Sequence, residues 1–324
     1  MKKILEKIRT YLMHPVEDDI EGLKFLQGKQ LVCIQNQQAI NNIRDAEFKV
    51  FSQWGEDGII QWIISKIPFI PPTFIEFGVE DYRESNTRFL LMHNNWKGLV
   101  IDGGNKNIEK IRKSSLFWRH DLTALCSFVT RENINNLFQD NGFRDEIGIL
   151  SIDIDGNDYW VWDAIETIIP KIVICEYNSI FGPTKKVTIP YKKDFVRSQA
   201  HYSYLYYGAS LASLVALGRQ KGYICVGGNS AGNNVFFVHK SLGSFFEEVS
   251  TEVAYIESKF RESRDNNGKL SFLSEEKRLK AIREFGRGCE CCCAPPHPPH
   301  SFRCGRGRTR GGTVQRLKKG DDSL

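Results

Sequence analysis

The segment IGILSIDIDGND, residues 147–158, is an apolar run that ends in three aspartates. A short apolar run of this kind predicts a strand that is buried on both faces, as in the middle of a parallel sheet, here over residues 147–155. Three similar runs also carry an acid at or near their ends: TFIEFGV (73–79), GLVID (98–102) and KIVICEY (171–177). The chain therefore repeats one unit, a buried strand that ends at a carboxylate.

Segments with helical spacing of apolar residues separate these strands, and three more strands are predicted. The predicted helices cover residues 55–67, 85–94, 108–114, 131–139, 158–168 and 211–221, and the further strands cover residues 116–120, 223–226 and 234–239. Alternation of this kind predicts a parallel, doubly wound sheet with helices on both faces. The last two strands suggest a hairpin, so we expect the Rossmann-like α/β fold of class I methyltransferases, with seven mostly parallel strands and an antiparallel edge strand.

Composition divides the chain into four parts. We predict an N-terminal helical cover over residues 1–50, a main domain over 51–245, a C-terminal helical extension over 246–285 and a disordered tail over 286–324. The 324 residues are 41% hydrophobic and contain no apolar run of membrane-spanning length. The N-terminus lacks a signal peptide, so a cytoplasmic location is expected. Peripheral membrane binding through an amphipathic first helix, and assembly into homo-oligomers, are left open.

The net charge of +5 belongs to the tail. From residue 286 onward there are eight basic and three acidic residues, so the rest of the chain is formally neutral. A neutral main domain argues against nucleic acid as its partner.

Cysteine usage also separates the tail from the body. The tail contains CECCCAPPHPPHSFRCGRGRTRGG at residues 289–312, with His297 and His300. A zinc or RNA-binding appendage is one interpretation, but adjacent cysteines do not form the paired knuckles of structural zinc sites. We favour a disordered extension. The remaining cysteines are predicted to be reduced core residues, and they are Cys33, Cys126, Cys175 and Cys225.

Five successive predicted strands end in acids, and the carboxyl ends of parallel strands are where ligands bind in such sheets. In order, these ends offer Glu76 with Gly78, Asp102, Asp121, Asp153 with Asp155, and Glu176 with Asn178. One carboxylate accepts two hydrogen bonds, so Asp102 is placed to hold both ribose hydroxyls of a nucleoside. Asp121 is placed to accept from the exocyclic amine of an adenine.

The loop GVEDYRESNT, residues 78–87, lacks the glycine pattern that a dinucleotide's pyrophosphate requires. S-adenosylmethionine (SAM) carries no phosphate, and its amino-acid end is suited to acids and polar groups. The acidic loop therefore favours SAM over NAD.

The chain resembles the FkbM-type methyltransferase family over about 190 residues. The motifs are SQWGEDG (52–58), FIEFGVEDYRESNT (74–87), GLVIDG (98–103), SIDIDGND (151–158), EYNSIFGP (176–183), YYGASL (206–211) and NNVFFV (233–238). The resemblance implies methyl transfer from SAM to an oxygen of a sugar or related small hydroxylated compound, in polysaccharide or natural-product biosynthesis. It also implies cofactor contacts at Glu76, Gly78, Asn86, Asp102 and Asp121, although the first loop departs from the family's glycine-rich form.

A hydroxyl acceptor needs a base or a metal ion, because its pKa lies far above neutrality. Asp153, Glu176 and Asn178, together with Asp155, offer oxygen ligands of the kind that Mg²⁺ or Ca²⁺ prefers. Two alternatives stay open: these groups bind substrate hydroxyls, or Asp155 is itself the catalytic base.

His201 is a second candidate base, within QAHYSYLYYGAS at residues 199–210. The stretch 178–210 is the expected acceptor lid, and its tyrosines are candidates for stacking against a sugar ring. Its basic cluster suits a phosphorylated acceptor or is an ordinary solvated loop, and consists of Lys185, Lys186, Lys192, Lys193 and Arg197.

Two other function classes compete with methyl transfer. One is an NAD-dependent sugar enzyme on a similar sheet, which would need a phosphate-cradling loop. The other is a catalytically inactive, methyltransferase-like binding protein. Binding of S-adenosylhomocysteine (SAH), of NAD, or of SAH without turnover separates the three.

Overall fold

The computed structural model of the chain describes residues 2–286. The predicted tail lies outside the described residues except for Gly286, so its interpretation stays a prediction.

Seven strands and eleven α-helices form within the described range. The strands are β1 (Thr73–Phe77), β2 (Lys97–Asp102), β3 (Leu122–Cys126), β4 (Asp145–Ile152), β5 (Ile168–Glu176), β6 (Tyr223–Gly228) and β7 (Asn234–His239). The helices are α1 (Lys2–Gln35), α2 (Glu56–Ser65), α3 (Arg88–Asn94), α4 (Asn105–Lys113), α5 (Ser115–Arg119), α6 (Ile134–Asp140), α7 (Asp158–Ala164), α8 (Arg197–Ala200), α9 (Leu211–Gln220), α10 (Thr251–Ala254) and α11 (Glu275–Gly286).

All seven strands belong to one sheet with the order β3-β2-β1-β4-β5-β7-β6. The first five strands pair in parallel, while β7 runs antiparallel between β5 and β6. This is the Rossmann-like order of class I methyltransferase folds, so the predicted fold class is confirmed. The direction of winding reverses between the neighbouring strands β1 and β4, and such a switch point leaves a crevice at the carboxyl edge.

The central strands are buried on both faces, as their continuous apolar sequences predict. In β4, Leu150 and Ile152 pack into the core on one side of the sheet, whereas Ile149 packs into the core on the other. β7 shows the same alternation, with Phe237 on the first side and Phe236 on the second. The sheet is therefore a rigid layer between two helical layers, and the residues that follow its strands are held at fixed positions.

The third strand lies later in the sequence than we predicted. Residues 116–120 fall mainly in the short helix α5, and β3 begins at Leu122. Leu122 and Ala124 are buried in alternation, whereas Trp118 is 74% exposed. The predicted strand over residues 116–120 is therefore wrong, because alternating burial, and not apolar content alone, marks the strand.

A single helix of 34 residues, α1, occupies most of the segment for which we predicted an N-terminal helical cover. Its C-terminal half contacts the body: Phe25 lies edge-on to Phe89, with ring centroids 6.0 Å apart, and the Gln35 amide donates to the Ala46 carbonyl at 2.9 Å. Across residues 2–286, no helix is both long enough and apolar enough to cross a membrane.

The body cysteines divide into two pairs. Cys175 and Cys225 are buried, as predicted, whereas Cys33 and Cys126 are exposed. All four are free thiols.

Candidate functional site

A pocket of about 880 Å³ opens at the carboxyl edge of the sheet, over the switch point between β1 and β4. Seven of the ten predicted site residues line it: Glu76, Gly78, Asn86, Asp102, Asp153, Asp155 and Glu176. The other three, Asp121, Asn178 and His201, are not part of its wall. Acids that end four different strands therefore share one hollow.

Glu76, at the end of β1, ties the first loop to the sheet. Its Oε2 accepts hydrogen bonds from Ser85 Oγ at 2.5 Å and from the Thr87 backbone N–H at 3.0 Å, and its Oε1 accepts from the Asn86 N–H at 2.9 Å. Burial raises the pKa of Glu76, and these bonds oppose the shift. Because most of its acceptor capacity is used, Glu76 mainly positions the loop over residues 78–87.

Gly78, directly after β1, lies against the backbone of Asp153, directly after β4. Its φ is +81°, and a Cβ built on it would lie 1.5 Å from the Asp153 carbonyl oxygen. No side chain fits there. Glycine at this position allows the loop after β1 and the acids after β4 to lie next to each other at the bottom of the pocket.

Asp102, at the end of β2, is fixed by three hydrogen bonds. Its Oδ2 accepts from the Glu80 N–H at 2.9 Å, and its Oδ1 accepts from the Gly104 N–H at 2.7 Å and from Asn107 Nδ2 at 3.1 Å. A carboxylate has about four acceptor positions, so capacity for a ligand hydroxyl is left. Asp102 therefore presents a preoriented acceptor to the pocket.

Asp121 is a correction that follows from the shifted third strand. It precedes β3 instead of following it, at the opposite edge of the sheet, where it lies 3.9 Å from Lys97 Nζ. It cannot reach an adenine in this pocket. The residues that follow β3 and line the pocket are Ser127, Phe128 and Val129. The third strand is therefore followed by an aromatic residue, where we had expected Asp121.

Three acids from β4 and β5 form a cluster in the pocket. Carboxylate oxygens of Asp153, Asp155 and Glu176 lie within 4.8 Å of one another. Burial and then the charges of Asp155 and Asp158 hold the pKa of Asp153 well above its usual range. Burial, followed by Asp153 and Asp155, does the same to the pKa of Glu176, whose Oε2 has no hydrogen-bond partner among the described residues. These three oxygen donors suit a hard divalent cation.

Arg197, in α8, is the cation that faces this cluster. Its Nη1 donates to Asp155 Oδ1, its Nε donates to the Tyr204 carbonyl at 2.8 Å, and its guanidinium carbon lies 3.8 Å from the centre of the Tyr207 ring. Burial lowers the pKa of Arg197, but electrostatic interactions with Tyr207, Glu176 and Asp155 outweigh it and leave that pKa above its usual value. Arg197 therefore partly offsets the acids and orients Asp155, which has a positive φ of 54°.

Asn178 is not available as a metal ligand. Its side-chain amide donates to the carbonyls of Leu205 and Tyr207 at 3.0 and 3.1 Å, and its Oδ1 accepts from the Ile180 N–H. These hydrogen bonds hold the segment after β5 against the segment before α9, and they use the polar atoms of the Asn178 side chain. The sequence placed Asn178 two residues beyond a strand end, but it does not show which way a side chain turns.

His201 also lies outside the pocket wall. It is buried, its Nδ1 lies 2.6 Å from Ser203 Oγ, and burial lowers its pKa. The imidazole sits in a local turn of the segment, where it satisfies polar groups. The structure therefore does not bring our second candidate base to the acids.

Asp158 is the remaining acid of the central motif, and it is structural. Its Oδ1 accepts from the Ile154 N–H and its Oδ2 from the Gly156 N–H, both at 2.9 Å. These bonds close the turn that leads from β4 into α7. The turn leaves Asp153 and Asp155 facing the pocket.

The motif SQWGEDG, residues 52–58, shapes the opposite wall. Fully buried Glu56 accepts from the N–H groups of Trp54 and Gly55 at 3.0 Å and from the side chain of Asn234 at 2.9 Å. Glu56 therefore joins the segment of residues 52–58 to Asn234 at the start of β7. The motif is visible in the sequence, but its role depends on this contact with β7, which the sequence does not show.

Other wall residues were also missed. They are Gln53, Trp54, Asn157, Asn233, Asn234, Phe195, Phe260 and Glu262. The motifs SQWGEDG, SIDIDGND and NNVFFV contained five of these residues, but Phe195, Phe260 and Glu262 gave no signal because they come from irregular segments. The expected lid contributes none of its candidate stacking residues or lysines to the pocket wall: Tyr202, Tyr204, Tyr206, Tyr207, Lys185, Lys186, Lys192 and Lys193 all lie outside it.

The pocket is strongly acidic. Eight carboxylates line it: Glu76, Glu80, Glu84, Asp102, Asp153, Asp155, Glu176 and Glu262. Arg197 is the one cationic side chain in this wall among the described residues, and it is already paired with Asp155. Such a field favours cationic and neutral ligands over polyanions.

Comparison with known proteins gave matches among solved structures alone: no protein-family model and no curated protein matches the chain. The N-terminal domain of EvdMO1 with SAH bound is 12% identical, over 69% of this chain and 96% of that chain, with a TM-score of 0.40. The plantazolicin methyltransferase BamL in complex with SAH is 12% identical, over 65% and 78%, with a TM-score of 0.33. An S-adenosylmethionine-dependent methyltransferase from Clostridium acetobutylicum is 8% identical, over 57% and 90%, with a TM-score of 0.36. Because these identities and TM-scores are low, the function is argued from the geometry of the pocket.

Proposed function

We propose that the chain is a SAM-dependent O-methyltransferase that acts on a sugar or a related small hydroxylated acceptor, as its resemblance to the FkbM-type family implies. The observation that carries this proposal is the acidic pocket at the switch point, in which Asp102 ends β2 as an oriented acceptor. The reaction has two chemical requirements: a site for a charged donor, and a base or a metal ion that assists loss of the acceptor's proton.

The pocket suits a donor with positive charge. A sulfonium and an ammonium group are favoured by surrounding carboxylates, whereas the two phosphates of a dinucleotide would be repelled by them. Asp102 would accept from one ribose hydroxyl, and the positive-φ turn at Gly78 and Glu80 brings backbone groups to the same place. Phe128 offers a face to the adenine. These features support SAM and disfavour the NAD-dependent alternative.

The acid cluster is the proposed site of acceptor chemistry. The methyl group passes from the sulfonium sulfur to the acceptor oxygen, the S–C electron pair stays on sulfur, and the hydroxyl proton must leave. Asp155, the most exposed acid of the cluster, is the group we assign to take that proton, with Arg197 holding it in place. The protein otherwise contributes orientation and exclusion of water.

A divalent cation fits the same cluster. Asp153, Asp155 and Glu176 each supply a carboxylate, and Glu176 Oε2 has no hydrogen-bond partner among the described residues. These three side chains would hold Mg²⁺, which prefers oxygen ligands. When bound, such an ion would lower the pKa of an acceptor hydroxyl.

The proposal is tested by calorimetry with SAH. We expect the full chain to bind SAH and not NAD, and we expect Asp102→Asn to weaken SAH binding about 10- to 100-fold, since hydrogen bonds to a charged group contribute roughly 1.5–3 kcal/mol. The variant keeps one acceptor oxygen for the loop, and its thermal unfolding is measured in parallel.

Asp121→Asn is the matched control, because the same change is made at the opposite edge of the sheet. It should leave SAH affinity unchanged. Equal affinity of Asp102→Asn and the parent, or tighter binding of NAD than of SAH, would refute the proposed donor site.

A further inference from the structure

We infer that Trp54 and Phe260 form an acceptor subsite that takes an uncharged sugar ring. Both residues line the pocket. The inference rests on the proposed function and names the acceptor's chemical class and the wall that receives it.

The two rings form an aromatic surface at the pocket. Their planes differ by 18° and their centroids are 6.4 Å apart, an offset, near-parallel arrangement. Trp54 is 39% exposed, whereas the large core rings of Trp162 and Phe77 are almost fully buried. An exposed tryptophan face offers the C–H groups of a pyranose ring a large apolar contact at low entropic cost.

Buried charged side chains fix the backbone beneath both rings. Glu56, with 0% exposure, accepts from the Trp54 N–H at 3.0 Å. Arg278, with 5% exposure, donates from Nη2 to the Phe260 carbonyl at 3.0 Å. Burial of charged groups is costly unless they are hydrogen-bonded, so this anchoring points to a surface that must hold its shape.

Planar polar side chains line the same pocket as the aromatic pair. They are Gln53, Asn233, Asn234, Glu84 and Glu262. Amides and carboxylates pair well with the several hydroxyls of a sugar, since each presents more than one hydrogen-bonding position. The buried Oδ1 of Asn234 has no hydrogen-bond partner among the described residues, which leaves an acceptor unsatisfied on this side.

Charge decides between a free sugar and a phosphorylated one. The lid lysines do not line the pocket, and the guanidinium of Arg197 is already paired with Asp155. A phosphate would enter a field of acidic groups in which the described residues of the wall offer no free cation. The subsite therefore selects an uncharged, polyhydroxylated ring.

Saturation-transfer NMR on the full chain tests the subsite without knowledge of the natural acceptor. The probes are the methyl glycosides of glucose, galactose, mannose and rhamnose, with glucose 1-phosphate and catechol as comparison ligands, each with and without SAH. We expect transfer to at least one glycoside, with less transfer to glucose 1-phosphate and catechol. Trp54→Ala should reduce the glycoside signal at least fivefold.

Trp118→Ala is the matched control, because Trp118 is 74% exposed and outside the pocket wall. It should leave the glycoside signal unchanged, and Phe260→Leu provides a second, milder variant if Trp54→Ala unfolds. The inference is overturned by absence of transfer to every glycoside, by an undiminished signal in both subsite variants, or by stronger transfer to catechol or glucose 1-phosphate. Failure of SAH binding with intact glycoside transfer would instead reject the proposed function alone.

Discussion

Gly78→Ala is expected to lose more than about 4 kcal/mol of unfolding free energy, a loss at the extreme of single substitutions. The added Cβ would lie 1.5 Å from the carbonyl oxygen of Asp153. That oxygen belongs to the backbone at the end of a central strand, so neither partner can rotate away. The backbone segments that follow β1 and β4 must therefore move apart at the switch point. Urea unfolding followed by circular dichroism measures the effect.

Gly142→Ala isolates the part of this loss that comes from backbone conformation. Gly142 has a φ of +79°, close to the +81° of Gly78, but a Cβ there meets nothing within 4 Å. We expect Gly142→Ala to lose only about 1–2 kcal/mol, the ordinary cost of a left-handed alanine. The difference between the two variants measures the clash. Similar losses in both would show that β1 and β4 are not held as closely as the structure has them.

The sequence could predict the pocket because its position depends on topology. Strands that alternate with helices run in parallel, and parallel strands bring their carboxyl ends to one edge. Glu76, Asp102 and Asp153 were therefore expected together before any side chain was placed, and they do share a hollow. The same reasoning failed for Asp121 because a shift of a few residues in β3 moved it to the other edge.

The directions of the side chains at the end of β5 could not be predicted from the sequence. Asn178 and Glu176 are two residues apart at the end of β5, yet Glu176 lines the pocket and Asn178 turns to the carbonyls of Leu205 and Tyr207. Which of them faces the ligand depends on where a later segment passes. That segment, which contains Leu205 and Tyr207, has no regular secondary structure, so its position cannot be predicted from a periodic pattern of apolar residues.

Wall residues outside the recognised motifs gave no signal in the sequence, and three of them, Phe195, Phe260 and Glu262, come from irregular segments. Arg197 was noted only as one of several lid cations, but it alone of that cluster reaches the pocket. Phe260 and Glu262 follow α10 in the extension that we described only as helical. Contacts of this kind join positions far apart in sequence, and they become visible only when the chain is folded.

Loss of Mn²⁺ binding in Asp153→Asn and Glu176→Gln is the largest functional effect that we expect. Mn²⁺ accepts the same oxygen ligands as Mg²⁺ and is measured directly by electron paramagnetic resonance. The parent chain should bind it, and each variant should bind it at least 50-fold more weakly. Each substitution replaces a carboxylate of the cluster by a neutral amide of similar shape. SAH affinity should stay within about threefold of the parent, because Asp102 is untouched.

Glu84→Gln is the matched control for charge. Glu84 lines the same pocket but is exposed and paired with Lys49 at 3.2 Å, outside the cluster. It should retain Mn²⁺ affinity, whereas a general effect of pocket charge would weaken binding in all three variants alike. Once an acceptor is known, chelation should abolish turnover and Mg²⁺ should restore it. Full turnover after chelation, or no Mn²⁺ binding by the parent chain, would leave Asp155 as the base that takes the proton of the acceptor hydroxyl and would remove the cation from the mechanism.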